Sequence, residues 1–195
     1  ASFHVMDAQR VLAGKITVGE QEVCLFSTMW HQSEFANTTR LKSLVELYSD
    51  DHLNGPELLG RVEDAVEGHR RRLEEAEKTL EFVTEVAGDG PAVLMGSLHA
   101  LPESEEIRKL LDYGFKDVWD VGSFEGFTRD GTRNTNIMEY FYDEESGEQP
   151  CRTRVDYIFY KGESVQALQS TIALDESTYE THPSDHFAVV AELEF

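Results

Sequence analysis

Three short stretches each deliver polar side chains at the edge of an apolar run. They are Val93-Leu94-Met95-Gly96-Ser97-Leu98-His99-Ala100, Arg154-Val155-Asp156-Tyr157-Ile158-Phe159 and Pro183-Ser184-Asp185-His186-Phe187-Ala188-Val189. In the second, Asp156 stands between Val155 and Tyr157. A bare carboxylate buried there is costly, so it needs a partner. In the third, Asp185-His186 opens an apolar run. A carboxylate beside His186 would fix its tautomer and stabilise its imidazolium. Such a pair can move protons or hold charge on a phosphoryl oxygen. It can equally tie two strands together without chemistry.

The elements that must carry these residues can be read from periodicity. Val11 to Val18 alternates like a strand, Gly19-Glu20 is a turn, and Glu22 to Thr28 returns. Asn37 to Tyr48 is predicted helical through Leu41, Leu44, Val45 and Tyr48. Asn54-Gly55-Pro56 starts a long helix, Glu57 to Val86, with an apolar stripe at Leu73, Ala76, Leu80, Val83 and Val86. Arg70, Arg71 and Arg72 are expected on its solvated face. The apolar run Ala92 to Met95 reads as a strand covered on both faces. A helix from Pro102-Glu103-Ser104 to Asp112 follows, closed by Tyr113-Gly114. Asp143 to Pro150 is a polar loop, and strands are expected at Arg154–Tyr160, Ser164–Leu174 and His186–Phe195. The order favours a layered α+β fold over a repeating βαβ array.

The 195 residues suit one domain spanning 1–195, with an enlarged helical segment at 33–88. Asp and Glu number 38 against 17 Lys and Arg, for a net charge of −21. That disfavours a broad basic groove for duplex nucleic acid and docking on an anionic membrane. Acid excess with only six Lys points to a protein adapted to high salt. No apolar run is long enough to span a membrane, and no secretory leader is visible at Ala1. A cytoplasmic site is expected, with secretion left open. Cys24 and Cys151 are expected to be free thiols. His4, His52, His69 and His182 are expected to be ordinary surface imidazoles.

The three stretches, in this order, resemble the endonuclease/exonuclease/phosphatase superfamily. Leu94 to Ala100 falls where that family has a Gly-Asp-x-Asn segment. Pro102-Glu103-Ser104-Glu105-Glu106-Ile107, Gly114-Phe115-Lys116-Asp117-Val118-Trp119 and Gly126-Phe127-Thr128-Arg129-Asp130 follow the family's order. Arg154-Val155-Asp156-Tyr157-Ile158-Phe159 with Ser184-Asp185-His186 carries the most specific match. The resemblance implies a layered α/β sandwich, with two packed, mostly antiparallel sheets flanked by helices. It implies a phosphate-ester substrate and a divalent cation, magnesium or manganese. His186 would contact the phosphate, Asp156 would orient His186, and Asp185 would lie near the metal or its water. Asn134 and Asn136 could reach substrate from the loop after the Gly-Phe-Thr turn, although residues of this type there more often serve the turn itself.

Departures from the pattern are equally specific. Ser97 stands where the family's water-activating Asp belongs, and His99 stands where its Asn belongs. A family His would fall at Met29, and His31 lies two residues on, where it could share a strand face and touch substrate. Together with a carboxylate, two such imidazoles could instead take zinc or manganese. The family's opening strands, with an Asn and the metal-binding Glu, have no counterpart before Val11. The fold is therefore expected to lack its first strands and to leave a sheet edge that a second copy, a partner chain or the enlarged helical segment covers. The expected function is a divergent phosphoesterase relative with impaired or lost hydrolysis. The alternatives are an active metal-dependent phosphodiesterase, nuclease or phosphatase using His186 and Asp156, and a piece whose missing residues another chain supplies.

Overall fold

The computed structural model describes residues 4–5, 11–33, 35, 38–122, 126–140, 152–177 and 181–195, with 4–5, 38–39 and 138–140 described as backbone only. The expected polar loop at 143–150 and Cys151 lie outside the described residues, as does the His4 side chain.

Strand β1 is His4–Val5, and β2 (Val11–Val18) and β3 (Gln21–Met29) form the expected hairpin. Gly19 takes φ 62 in the connecting turn, a left-handed conformation that suits glycine. The register runs from Val11↔Thr28 to Val18↔Gln21. After β3 the chain leaves the sheet through helices α1 (Thr38–Ser49) and α2 (Gly55–Ala87). It returns as β4 (Ala92–Ser97), parallel to β3, with Cys24 opposite Ala92 and Met29 opposite Ser97. Helix α3 (Glu105–Asp112), β5 (Lys116–Asp117) and a 3-10 turn (Val118–Val121) come next. Strand β6 (Arg129–Asp130), helix α4 (Thr135–Tyr140) and β7 (Arg152–Thr153) precede β8 (Asp156–Lys161), β9 (Gln166–Ala173) and β10 (Ala188–Glu194). The strands order as β1-β2-β3-β4-β8-β5, with β10-β9 a second sheet and β6-β7 a small ribbon.

Each start signal of α2 acts physically. Asn54 Oδ1 accepts from Glu57 N at 3.0 Å, and Glu57 Oε2 accepts from Asn54 N at 2.8 Å. This reciprocal cap satisfies two backbone donors, and Pro56 in the first turn has no N–H to satisfy. Gly88 ends the helix at φ 54, its amide bonded to Thr84 O at 3.0 Å.

Both faces of the long sheet are used. On one, Val11, Ala13, Phe26, Leu94 and Phe159 pack with Ala76, Phe82 and Val83 of α2 and Ile107 and Leu110 of α3. On the other, Val23, Val93 and Tyr160 pack with Ala167 of β9, and Val189, Ala191 and Leu193 of β10 lean on them. This is the expected α+β sandwich of helices, long sheet and short sheet. The described packing of α2 is on the face opposite the short sheet. Leu12, Ile16 and Val18 of β2 and Met29 of β3 remain exposed.

The buried stripe of α2 differs from the apolar one. It runs Ala65, Gly68, Arg72, Ala76, Thr79 and Val83. Arg70 and Arg71 lie on the solvated face and pair with Glu67 at 2.8 and 2.7 Å. Arg72, expected beside them, is only 2% exposed. Its Nε donates to Glu106 Oε1 at 3.2 Å and its Nη1 to Ser33 Oγ at 2.6 Å. His69 Nδ1 lies 2.9 Å from the same Glu106 oxygen, so it is a network member rather than a bland surface imidazole. A polar member was hidden because apolar periodicity counts only apolar residues. Trp30 is core, as expected, and its indole donates to Thr79 Oγ1 at 3.3 Å.

Candidate active site

The site lies where β4 and β8 end together. Ladder register puts Ser97 directly across from Asp156. The ladder extends past the strands, with Trp30 N bonded to Ser97 O at 3.0 Å and Leu98 N to Val155 O at 2.8 Å. Gly96 makes this approach possible. A Cβ there would lie 1.7 Å from the Thr28 carbonyl oxygen, and its φ of 150 also favours glycine.

Asp156 has the partner its setting demands. One carboxylate oxygen, Oδ2, lies 2.8 Å from His186 Nδ1. The other, Oδ1, accepts the Ser97 hydroxyl. Burial alone would raise the Asp156 pKa, but the bond and charge of His186, with the Ser97 and Thr128 hydroxyls, hold it below the ordinary value. Burial alone would lower the His186 pKa, but Asp156 and then Asp185 raise it above that of free imidazole. Asp185 sits more openly, its Oδ2 3.9 Å from His186 Nε2.

His99 is brought to the same place. Its ring centroid is 6.0 Å from that of His186, at 72°. It is only 8% exposed and takes φ 47, a left-handed conformation unusual for a side chain of this size. Burial, then the neighbouring His186 charge, pushes its pKa down to about 4. At neutral pH the imidazole at 99 is therefore uncharged, while Asp156 shifts the one at 186 toward its charged form.

The two candidate substrate contacts, Asn134 and His31, both bond to other parts of the chain. Asn134 is fully buried, its amide donating to Ser184 O at 2.9 Å and its Oδ1 accepting from Asn136 N at 3.0 Å. One end thus holds the Ser184 turn and the other closes a local turn onto Asn136. His31 lies beyond the end of β3, its backbone amide donating to Glu75 Oε2 at 2.7 Å. No bond or ring contact among the described residues joins its imidazole to His99 or His186.

Sequence reasoning missed the supports. Thr128 Oγ1 accepts from Val155 N at 3.0 Å and Asp156 N at 3.1 Å, while Thr128 O accepts from Phe187 N at 2.7 Å. One buried residue thus joins the start of β8, which carries Asp156, to the turn that carries His186. His182, expected at the surface, is 6% exposed and bonded to Thr135. The polar triplet Asn134-Thr135-Asn136 was the available signal for this clasp, because three consecutive residues of this kind favour local backbone bonds.

The expected divalent cation fits these residues poorly. Position 97 offers a hydroxyl already given to Asp156, and Asp185 is the one open carboxylate beside His186. Among the described residues no three His, Cys, Asp or Glu side chains converge as a metal site. Nor is any described helix long and apolar enough to cross a membrane.

No protein-family model and no curated protein matches the sequence. Solved structures do. A functionally unknown conserved protein from Enterococcus faecalis matches over 94% of this chain and 55% of its own, at TM-score 0.57 and 19% identity. Truncated TDP2 from Caenorhabditis elegans matches over 100% of this chain and 66% of its own, at TM-score 0.64 and 16% identity. An endonuclease/exonuclease/phosphatase from Bacteroides vulgatus matches over 97% of this chain and 59% of its own, at TM-score 0.59 and 14% identity. Beta toxin from Staphylococcus aureus matches over 94% of this chain and 57% of its own, at TM-score 0.60 and 17% identity. The chain thus spans between 55% and 66% of the length of these structures. Together with the sandwich and the ladder that sets Ser97 against Asp156, these likenesses show that the chain has the endonuclease/exonuclease/phosphatase-like fold.

Proposed function

We propose that the chain is a divergent phosphoesterase relative that still binds phosphate esters at His186, with hydrolysis impaired or lost. One observation carries this reading: the Ser97 hydroxyl is turned onto Asp156. A water aligned for attack on phosphorus needs a base or a cation beside it. At position 97 there is a neutral donor, and its proton is committed to the carboxylate that holds His186. His186 Nε2 remains to donate to a phosphate oxygen, and Asp156 supports the charged form that would do so. His99 supplies an uncharged wall to the site.

The test is hydrolysis of bis-p-nitrophenyl phosphate and p-nitrophenyl phosphate by the full chain. Magnesium, manganese and zinc are each added, in dilute buffer and in molar KCl. The expected result is binding without turnover. Turnover that disappears in His186→Ala would establish the second reading, an active phosphodiesterase or phosphatase. The intact 2.8 Å His186–Asp156 bond favours that alternative. One similar structure, Danio rerio TDP2, is described as complexed with a single-strand DNA product, so a single-stranded DNA end belongs in the same assay.

Three subsidiary proposals follow from composition and packing. A charge of −21 suits a cytoplasm of high salt, where screening removes self-repulsion. The exposed Leu12, Ile16, Val18 and Met29 suit coverage by a second copy or a partner chain. If a divalent cation takes part, Asp185 is the residue to hold it, with other groups supplied from elsewhere.

A further inference from the structure

His186 lies at the end of a turn whose conformation is set from outside the His186–Asp156 pair. Residues 181–184 are buttoned to residues 134–136 by a run of bonds. Asn134 Nδ2 donates to Ser184 O at 2.9 Å, and Asn136 Nδ2 donates to His182 O at 2.9 Å. Thr181 Oγ1 donates to Asn136 Oδ1 at 3.1 Å. Between them, His182 N donates to Thr135 Oγ1 at 3.2 Å, and that hydroxyl lies 3.1 Å from His182 Nδ1. Thr135 N donates to the same Nδ1 at 3.2 Å.

A backbone N–H can only donate, so His182 Nδ1 must present its lone pair. The ring proton then sits on Nε2, which faces Asp175 O at 3.4 Å. The Phe187 ring, 5.4 Å away, packs beside the imidazole. Arg133 lies over that same Phe187 ring and pairs with Asp175 Oδ2 at 3.0 Å, closing the surroundings on the outer side. Asn134 and His182 are themselves buried, which makes their bonds expensive to lose.

We propose that His182 is a positioning residue for His186: by accepting from Thr135, it locks the 181–184 turn and thereby aims the His186 ring at Asp156. This rests on the reading of His186 as the phosphate-binding group. His182 touches no substrate itself. Its Nδ1 joins the clasp to the turn at the midpoint, and both flanking asparagines act on backbone carbonyls of that turn.

The experiment compares the full chain with His182→Asn, His182→Leu and His182→Gln, using samples labelled with nitrogen-15 at histidine. Asn can place an amide oxygen near the position of Nδ1, whereas Leu has no acceptor and Gln carries its oxygen one atom further out. Thr79→Val, which removes a buried bond to Trp30, is the control for general loosening. The readouts are the His186 Nδ1–H resonance of the bond to Asp156 and the affinity for bis-p-nitrophenyl phosphate. The resonance is expected in the parent, His182→Asn and Thr79→Val. In His182→Leu and His182→Gln it is expected to broaden or vanish, with affinity about tenfold weaker, equal to about 1.4 kcal/mol. Should His182→Leu not fold, His182→Gln carries the comparison. An unchanged resonance in both, or its loss in Thr79→Val as well, overturns the positioning role. A resonance that responds as expected while the parent binds no probe leaves positioning standing and overturns the phosphate reading instead.

Discussion

Ser97 and Asp156 face each other across the β4–β8 ladder, and the Ser97 hydroxyl donates to Asp156 Oδ1 while His186 Nδ1 lies 2.8 Å from Oδ2. The carboxylate is shared between a neutral hydroxyl donor and an imidazole whose pKa it raises. Everything proposed for the site turns on that division.

Replacing Ser97 by Asp should put two carboxylates where one now sits. Like charges this close cannot both ionise without a cation, so one pKa rises and the fold loses stability in metal-free buffer. Thermal melts should show Ser97→Asp less stable than the parent, and partly restored by millimolar magnesium or manganese. The parent's melting temperature should not respond to the same addition. Equal responses in both proteins would remove the case that Ser97 marks the departure from metal-assisted chemistry.

Asp156→Asn should lower the His186 pKa, because the largest upward influences on it come from Asp156. Proton NMR titration of the imidazole measures this directly. A raised folded-state pKa contributes stability that is present below the unfolded value and fades as pH rises through the folded one. The variant should therefore lose this contribution on the acid side of the His186 titration. Breaking a buried pair of this kind costs about 3 kcal/mol.

His99 acts in the opposite sense. Its pKa falls from 6.5 to about 4 on folding, so the unfolded chain binds the proton more tightly. Stability should fall as pH drops from 6.5 toward 4, by about 3 kcal/mol at most. Urea unfolding at a series of pH values should show this slope in the parent and a smaller one in His99→Asn.

Arg72→Ala should be among the most destabilising changes away from the site. It would leave Glu106, 1% exposed, without its buried cationic partner, at a cost of about 4 kcal/mol. The double variant Arg72→Met, Glu106→Gln should recover much of that loss. Chemical denaturation of Arg72→Met, Glu106→Gln and their double variant closes a cycle, and additive losses would show that the pair is not coupled.

Gly96→Ala should fail more severely than a mid-strand glycine normally would. The added Cβ would meet backbone, the Thr28 carbonyl at 1.7 Å, which cannot move aside as a flexible side chain can. Low soluble yield or a melting temperature lower by ten degrees or more is the expected outcome.

Much of this was legible in the residues. The β2–β3 hairpin announced itself by alternation around Gly19-Glu20, and α2 by its cap at Asn54 and Glu57. The pairing of Asp156 with His186 followed from the cost of a bare carboxylate in an apolar strand. The short strands β5, β6 and β7 have two residues each, too few for any period to show. Arg72 and His182 were misplaced for a common reason. Both are polar residues buried because specific partners await them, and those partners lie far off in sequence. Asn134 bonds the Ser184 turn, in keeping with the turn role that its residue type favours.

The parallel pairing of β3 with β4 has a kinetic side. The β2–β3 hairpin can form from neighbouring residues, but Ser97 reaches its place only when the chain from Trp30 to Pro91 has closed into a loop. Loop closure costs entropy before any contact repays it, which slows folding. Helix α2, capped and laced by Glu67, Arg70 and Glu74, can stiffen much of that loop in advance. The helical insertion would then serve as a ruler that delivers β4 to β3, and weakening its cap at Asn54 should slow refolding more than it hastens unfolding.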